Sequence, residues 1–149
     1  MYKILEHSRG IDGLTWSHSQ SLLVTGEEKS EMDDGTIRGW IRVFDMPSGT
    51  EIKTLDFGNT VNELFFSQDD QYLLAVGHGA VKIYNAVHWG LVQTLKPDYY
   101  VIFTSGVFSP DGRHVIYLGG GLDKTIQGAR TGTCNPREER AAVQKSIEI

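Results

Sequence analysis

With 149 residues the chain is the size of one ordinary domain, and its 40% hydrophobic and 22% charged residues exclude wholesale disorder. Its single cysteine, Cys134, excludes an internal disulfide and a Cys-rich metal site, which fits a reducing compartment. A net charge of −5 argues against nucleic-acid binding by general electrostatics, and a polar start with no long apolar run argues against a signal peptide or a membrane span, so a cytoplasmic location is expected.

In chain order, residues 2–5 (Tyr2-Lys3-Ile4-Leu5) read as a strand. Apolar runs and alternation bounded by turn residues then predict four strands at 11–17, 21–26, 40–45 and 50–55, the last two joined by Met46-Pro47-Ser48-Gly49. Four more follow at 61–67, 72–77, 80–85 and 91–95. Ser67-Gln68-Asp69-Asp70 and Ser109-Pro110-Asp111-Gly112 suit turns between consecutive strands. Gly77-His78-Gly79 offers the positive-φ positions of a tight hairpin. A third, degenerate set spans 103–134, with Asp123-Lys124-Thr125-Ile126 as its hairpin turn and third strand. The glycines before Lys124 do not make a phosphate-binding loop, because Asp123 stands where that loop needs Gly and would repel phosphate. After Pro136 the polar stretch is either helical or disordered, leaving 135–149 as a tail.

These elements repeat. The anchors Ser17, Ser67 and Ser109 are spaced 50 and 42 apart, whereas Gly49, Gly90 and Gly132 are spaced 41 and 42 apart. A beat of about 42 residues made of four short strands is the signature of β-propeller blades. The predicted fold is therefore all-β, with about three blades of four antiparallel strands (11–55, 61–95 and 103–134) and an incomplete ring. The first repeat's surplus of about eight residues is an insertion between its second and third strands. It carries most of the charge: Glu27, Glu28, Glu31, Asp33 and Asp34 against one Lys29, or −4 of the net −5.

The segment Trp40-Ile41-Arg42-Val43-Phe44-Asp45 through Gly49, with Phe108-Ser109-Pro110-Asp111-Gly112-Arg113, resembles the WD-repeat family of propellers over roughly residues 2–134. At the family's Trp-Asp pair stand Phe44-Asp45, Tyr84-Asn85 and Gln127-Gly128. At its Gly-His pair stand Glu6-His7, Asp56-Phe57 and Asp98-Tyr99. Only the first copy keeps the His, with Thr25 at the place of its usual hydroxyl partner. The resemblance thus implies that the family's buried hydrogen-bond network is mostly absent.

Leu5 precedes Ser17 by the same twelve residues that separate Leu55 from Ser67. Residues 2–5 thus read as an outer strand without a blade, while the third blade lacks its own. Three blades are too few for a ring. Two readings stand: a homodimer of six blades closed by strand exchange, or part of a longer propeller. An open arc is disfavoured, because bare strand edges aggregate.

In a propeller the second-to-third and fourth-to-first connections share one rim, the face that most often receives partners in the resembled family. That rim would carry Glu27, Glu28, Glu31, Asp33, Asp34, Trp40, His78, Tyr99 and Tyr100. Acids beside aromatic rings suit a basic peptide or protein segment; the plainer reading is a solvated insertion. Glu31-Met32-Asp33-Asp34-Gly35 lacks the alternating ligand spacing of a calcium loop. His7, His18, His78, His88 and His114 are scattered, with no paired metal spacing and no nucleophile motif; His18 and His114 are expected to be simply exposed. No catalytic, cofactor or metal residue is assigned. The expected function is a non-catalytic scaffold or protein-binding module. The alternative is a fragment of a propeller enzyme or ligand-binding protein whose site needs further blades.

Overall fold

The computed structural model describes residues 5–7, 9–96, 100–120, 126–128 and 141–142, the last two segments as backbone only. The first sheet has the order β1 (Ile11–Trp16), β2 (Leu22–Glu27), β5 (Trp40–Asp45), β6 (Thr50–Asp56), each antiparallel to its neighbour. Between β2 and β5 a small hairpin, β3 (Ser30–Glu31) with β4 (Ile37–Arg38), takes up the insertion. The second sheet runs β7 (Val61–Phe66), β8 (Tyr72–Gly77), β9 (Ala80–Asn85), β10 (Leu91–Leu95). These eight blade strands begin and end within one residue of the sequence expectation.

The third sheet runs β11 (Ile102–Phe108), β12 (Val115–Gly120), β13 (Ile126–Gly128), β14 (Ala141–Ala142). Here the expectation of a missing outer strand is corrected. The outer place is taken by β14, a two-residue pairing that runs parallel to β13 rather than antiparallel. A parallel neighbour needs a crossover of a dozen or more residues, and the chain between Gly128 and Ala141 supplies that length. Residues 2–4 of the predicted spare strand, and most of the predicted tail, lie outside the described residues.

The inner strands β1, β7 and β11 lie side by side, so the three sheets stand around one axis as blades. Successive side chains on a strand point to opposite faces, and β8 shows the consequence. Leu73 and Ala75 join Val24, Ile41, Val43, Leu64 and Phe66 in the core between the first and second blades. Leu74 and Val76 join Val81, Ile83, Phe103, Val115 and Tyr117 in the core between the second and third. A strand buried on both faces reads as an unbroken apolar run, which is why Tyr72-Leu73-Leu74-Ala75-Val76 shows no alternation.

The recurring serine has a physical cause. The Ser17, Ser67 and Ser109 hydroxyls accept hydrogen bonds from the backbone N–H of Leu22, Tyr72 and His114, at 3.0, 2.9 and 3.0 Å. Each closes the turn from the first to the second strand. The third residue after each serine has positive φ: Gln20 (60°), Asp70 (56°) and Gly112 (69°).

Asp70 also links blades. Its carboxylate accepts from the backbone N–H of His18 and of Ser19, both at 2.8 Å, and lies 3.0 Å from His18 Nδ1. His18 is therefore exposed but not idle, and Gly112 has no side chain to make the same link between the second and third blades. Burial alone would raise the Asp70 pKa, but the donors from His18 and Ser19 outweigh it and hold the carboxyl below its ordinary value. A carboxylate depressed in the folded state contributes stability that is complete above its unfolded pKa of about 4 and lost as pH falls through the folded value. Asp70→Asn should cost about 1–2 kcal/mol at neutral pH and flatten the stability profile below about pH 4. Urea unfolding of both proteins between neutral pH and pH 3 checks this; parallel profiles would contradict it.

Candidate protein-interaction rim

One end of the arc is built from the long connections. Lys29 N–H donates to Thr60 Oγ1 at 3.1 Å, and the Gly39 carbonyl accepts from Phe57 N–H at 2.9 Å, so the insertion lies against the connection between the first two blades. That connection meets the β8–β9 turn, where His78 N–H donates to the Thr60 carbonyl at 3.0 Å. The turn in turn meets the next connection, Gly79 N–H donating to the Val101 carbonyl at 2.7 Å. Four segments far apart in sequence thus form one continuous surface.

The insertion holds its own shape. Met32 N–H donates to the Thr36 carbonyl at 2.7 Å and Gly35 N–H to the Met32 carbonyl at 2.8 Å. Asp34 Oδ1 accepts from Thr36 N–H at 2.9 Å and from its hydroxyl, and these bonds, the hydroxyl's first, hold the Asp34 carboxyl below its ordinary pKa. Glu28, Glu31, Asp33 and Asp34 are all exposed. Arg38 is paired with Asp56, which leaves the hairpin's acids the larger share of the free charge.

Among the aromatic candidates, Trp40 is half-buried at the start of β5, opposite Asp56. The His78 Nδ1 and the Tyr100 hydroxyl share a hydrogen bond of 3.1 Å, their rings edge-on at 6.4 Å. Burial, helped by Lys29 and opposed by Asp12, lowers the His78 pKa, so the imidazole meets Tyr100 neutral. Tyr100 is exposed; Tyr99, also predicted here, lies outside the described residues. Trp89, on the β9–β10 turn with φ 60°, is packed against the core between the first two blades.

Glu27 must be removed from the rim surface. It is fully buried, because β2 continues one residue past the expected end and His7 covers it. Its Oε1 accepts from Arg42 Nε at 2.6 Å and lies 3.1 Å from His7 Nδ1; Arg42 Nη1 continues to Glu51 Oε2 at 3.0 Å. Thr25, Glu27 and Arg42 share one face of the first blade, Arg42 lying directly opposite Thr25 across the β2–β5 ladder. The His–hydroxyl contact implied by the family resemblance does not form: Thr25 Oγ1 has no hydrogen-bond partner among the described residues. His7 instead pairs with a carboxylate and rests edge-on against Phe44 at 5.6 Å. Phe57, the corresponding residue of the second repeat, receives Lys82 over its ring and at its carbonyl, at 5.2 and 2.9 Å. Lys82, the third-strand residue of the second blade that corresponds to Arg42, thus reaches the connection itself, whereas Arg42 is held by carboxylates of its own blade. Sequence reasoning missed this chain of charges, although Thr25, Glu27 and Arg42 could have been placed on one face by counting in twos.

Among the described residues no three His, Cys, Asp or Glu side chains are grouped as a metal site.

Three four-stranded blades around a common axis, the first two antiparallel throughout and the third antiparallel but for its outer pairing, define a partial β-propeller. The family model of the WD domain, G-beta repeat, matches residues 1–40. No curated protein matches the chain in sequence. Among solved structures, the chain is similar to the "Crystal structure of RRP9 WD40 repeats", with a TM-score of 0.67 and 13% identity over 97% of this chain and 40% of that one. It is also similar to the "Structure of U3-55K", with a TM-score of 0.64 and 11% identity over 83% of this chain and 40% of that one. The protein is thus WD-repeat-like in sequence over its first 40 residues and has the WD40 propeller fold in its blades. It spans 40% of the length of each of these structures.

Proposed function

We propose that this protein is a non-catalytic interaction module whose rim receives a basic segment of a protein partner. The observation that carries this reading is the folded insertion. A tight hairpin docked on the first inter-blade connection holds Glu28, Glu31, Asp33 and Asp34 in solvent at the end that also bears Trp40, His78 and Tyr100. Exposed like charges repel, and fixing them together is costly unless an opposite charge arrives; neighbouring rings supply apolar area and cation–π contacts for Lys or Arg. The similarity to WD40 propellers supports the fold on which such a surface is displayed.

The test is calorimetric titration with a Lys/Arg-rich peptide, run against a Glu/Asp-rich peptide of equal length. The variant Glu28→Gln, Glu31→Gln, Asp33→Asn, Asp34→Asn should bind at least about 10-fold more weakly, and the wild-type affinity should fall with added salt. Equal binding by the variant, or equal binding of both peptides, would sink the reading. A second reading rests on length: a chain spanning 40% of the similar structures is a segment of a longer propeller whose ligand site needs further blades. Peptide binding by this chain alone speaks for the first; ligand binding that appears only when more blades are present speaks for the second.

A further inference from the structure

Histidine is the side chain whose ordinary charge change falls between about pH 5 and 8. Of the five histidines, His18, His88 and His114 stand in turns at the opposite end of the blades, and the His7 side chain is only 4% exposed, against Glu27. His78 is the histidine on the rim surface, half-buried in the β8–β9 turn. Three segments fix its place. Its N–H donates to the Thr60 carbonyl at 3.0 Å, it bridges to Ile102, and Gly79 N–H beside it donates to the Val101 carbonyl at 2.7 Å. Its Nδ1 lies 3.1 Å from the Tyr100 hydroxyl, and Tyr100 is 46% exposed. A change at the imidazole is thus passed to a side chain within reach of a partner. The charged groups acting on His78 are Lys29 of the insertion and Asp12 of β1, one of each sign. The connection before β7 offers it the Thr60 carbonyl, and the connection before β11 offers it the Tyr100 phenol.

We propose that His78 and Tyr100 form a proton-gated contact, which receives a basic segment while the imidazole is neutral and repels it once the imidazole is protonated. The proposal rests on the rim reading above and adds regulation to that surface. When Nδ1 of a neutral imidazole accepts the Tyr100 hydroxyl, the lone pairs of the phenol oxygen are left to accept from an ammonium or guanidinium group. In the imidazolium both ring nitrogens are donors. Nδ1 then donates to the phenol oxygen, and the hydroxyl hydrogen turns outward, where an arriving Lys or Arg offers only further donors. The new positive charge acts in the same sense. Burial first, then Lys29, lowers the His78 pKa against the pull of Asp12, so the receptive form prevails at neutral pH. One like charge about 7 Å away in water weakens binding by about threefold.

The test is titration of the whole chain with a histidine-free Lys/Arg-rich peptide at about pH 7.5 and about pH 5, on either side of the histidine range. The same pair of measurements on His78→Gln, whose side-chain amide carries no charge at either pH, removes the share of the carboxyl groups and the other histidines. The loss of affinity on acidification should be about threefold larger in the wild type than in the variant. A second readout needs no peptide: in the NMR spectrum of the unliganded wild type, the Tyr100 ring resonances should move with the same midpoint as those of the His78 ring. Equal losses in wild type and variant, or Tyr100 resonances indifferent to His78, would overturn the gate and leave the rim reading standing. A wild-type chain that binds no basic peptide at the higher pH would overturn both.

Discussion

Arg42→Met should destabilise the fold by about 3–5 kcal/mol, the cost of leaving a buried ion without its partner. The reason lies in Glu27 rather than in the arginine. Glu27 is fully buried, and Arg42 is its closest cationic partner at 2.6 Å. Its second oxygen, Oε2, has no hydrogen-bond partner among the described residues. Without the guanidinium, the buried carboxylate keeps only His7 as a side-chain partner among the described residues, and its desolvation goes largely uncompensated. The outer half of the network matters less. The Glu51 side chain is 35% exposed, and a pair so open to solvent is worth about 0–1 kcal/mol. Removing both partners should therefore be milder than removing one: Glu27→Gln with Arg42→Met should recover at least about half of the single-variant loss. Urea unfolding of the four proteins of this cycle measures it. Losses that simply add would show that the two groups are not coupled.

Gly39→Ala should cost at least about 3 kcal/mol, the upper end for overpacking, because backbone cannot swing aside as a side chain can. A Cβ at residue 39 would stand 1.7 Å from the Asn59 carbonyl oxygen and 2.5 Å from its carbon. Those atoms belong to the connection between the first two blades, and the Gly39 carbonyl itself accepts from Phe57 N–H. Accommodating a methyl group means lifting the insertion from the connection and losing this bond. Gly35→Ala is the control. It sits at the hairpin tip with φ 77° and nothing within 4 Å of the added carbon. Its cost is the backbone strain of a left-handed conformation alone, about 1–2 kcal/mol. Thermal unfolding of both variants separates space from strain; equal losses would refute the close approach at Gly39.

The blades were legible because their causes are local. Strand alternation, turn residues and the serine that closes each first turn recur at a fixed interval. The serine and glycine spacings placed the surplus upstream of Gly49, and the strand pattern set it between the second and third strands. Residues whose state depends on a distant segment were not legible in this way. Glu27 belongs by composition to the acidic run, yet it is covered by a histidine 20 residues earlier and paired to an arginine 15 residues later. His18 reads as a solvent-exposed turn residue until Asp70, 52 residues on, is brought against it. The parallel β14 carries no signal that a two-residue stretch in a polar tail could show.

The sequence by itself therefore determined the repeat, the four strands of each blade and the place of the extra charge, since backbone geometry converts residue spacing directly into strands and turns. Only the tertiary structure decided which acid of the insertion is buried and which four remain exposed on the rim. Those outcomes depend on what packs over a residue, and that is set by segments tens of residues away.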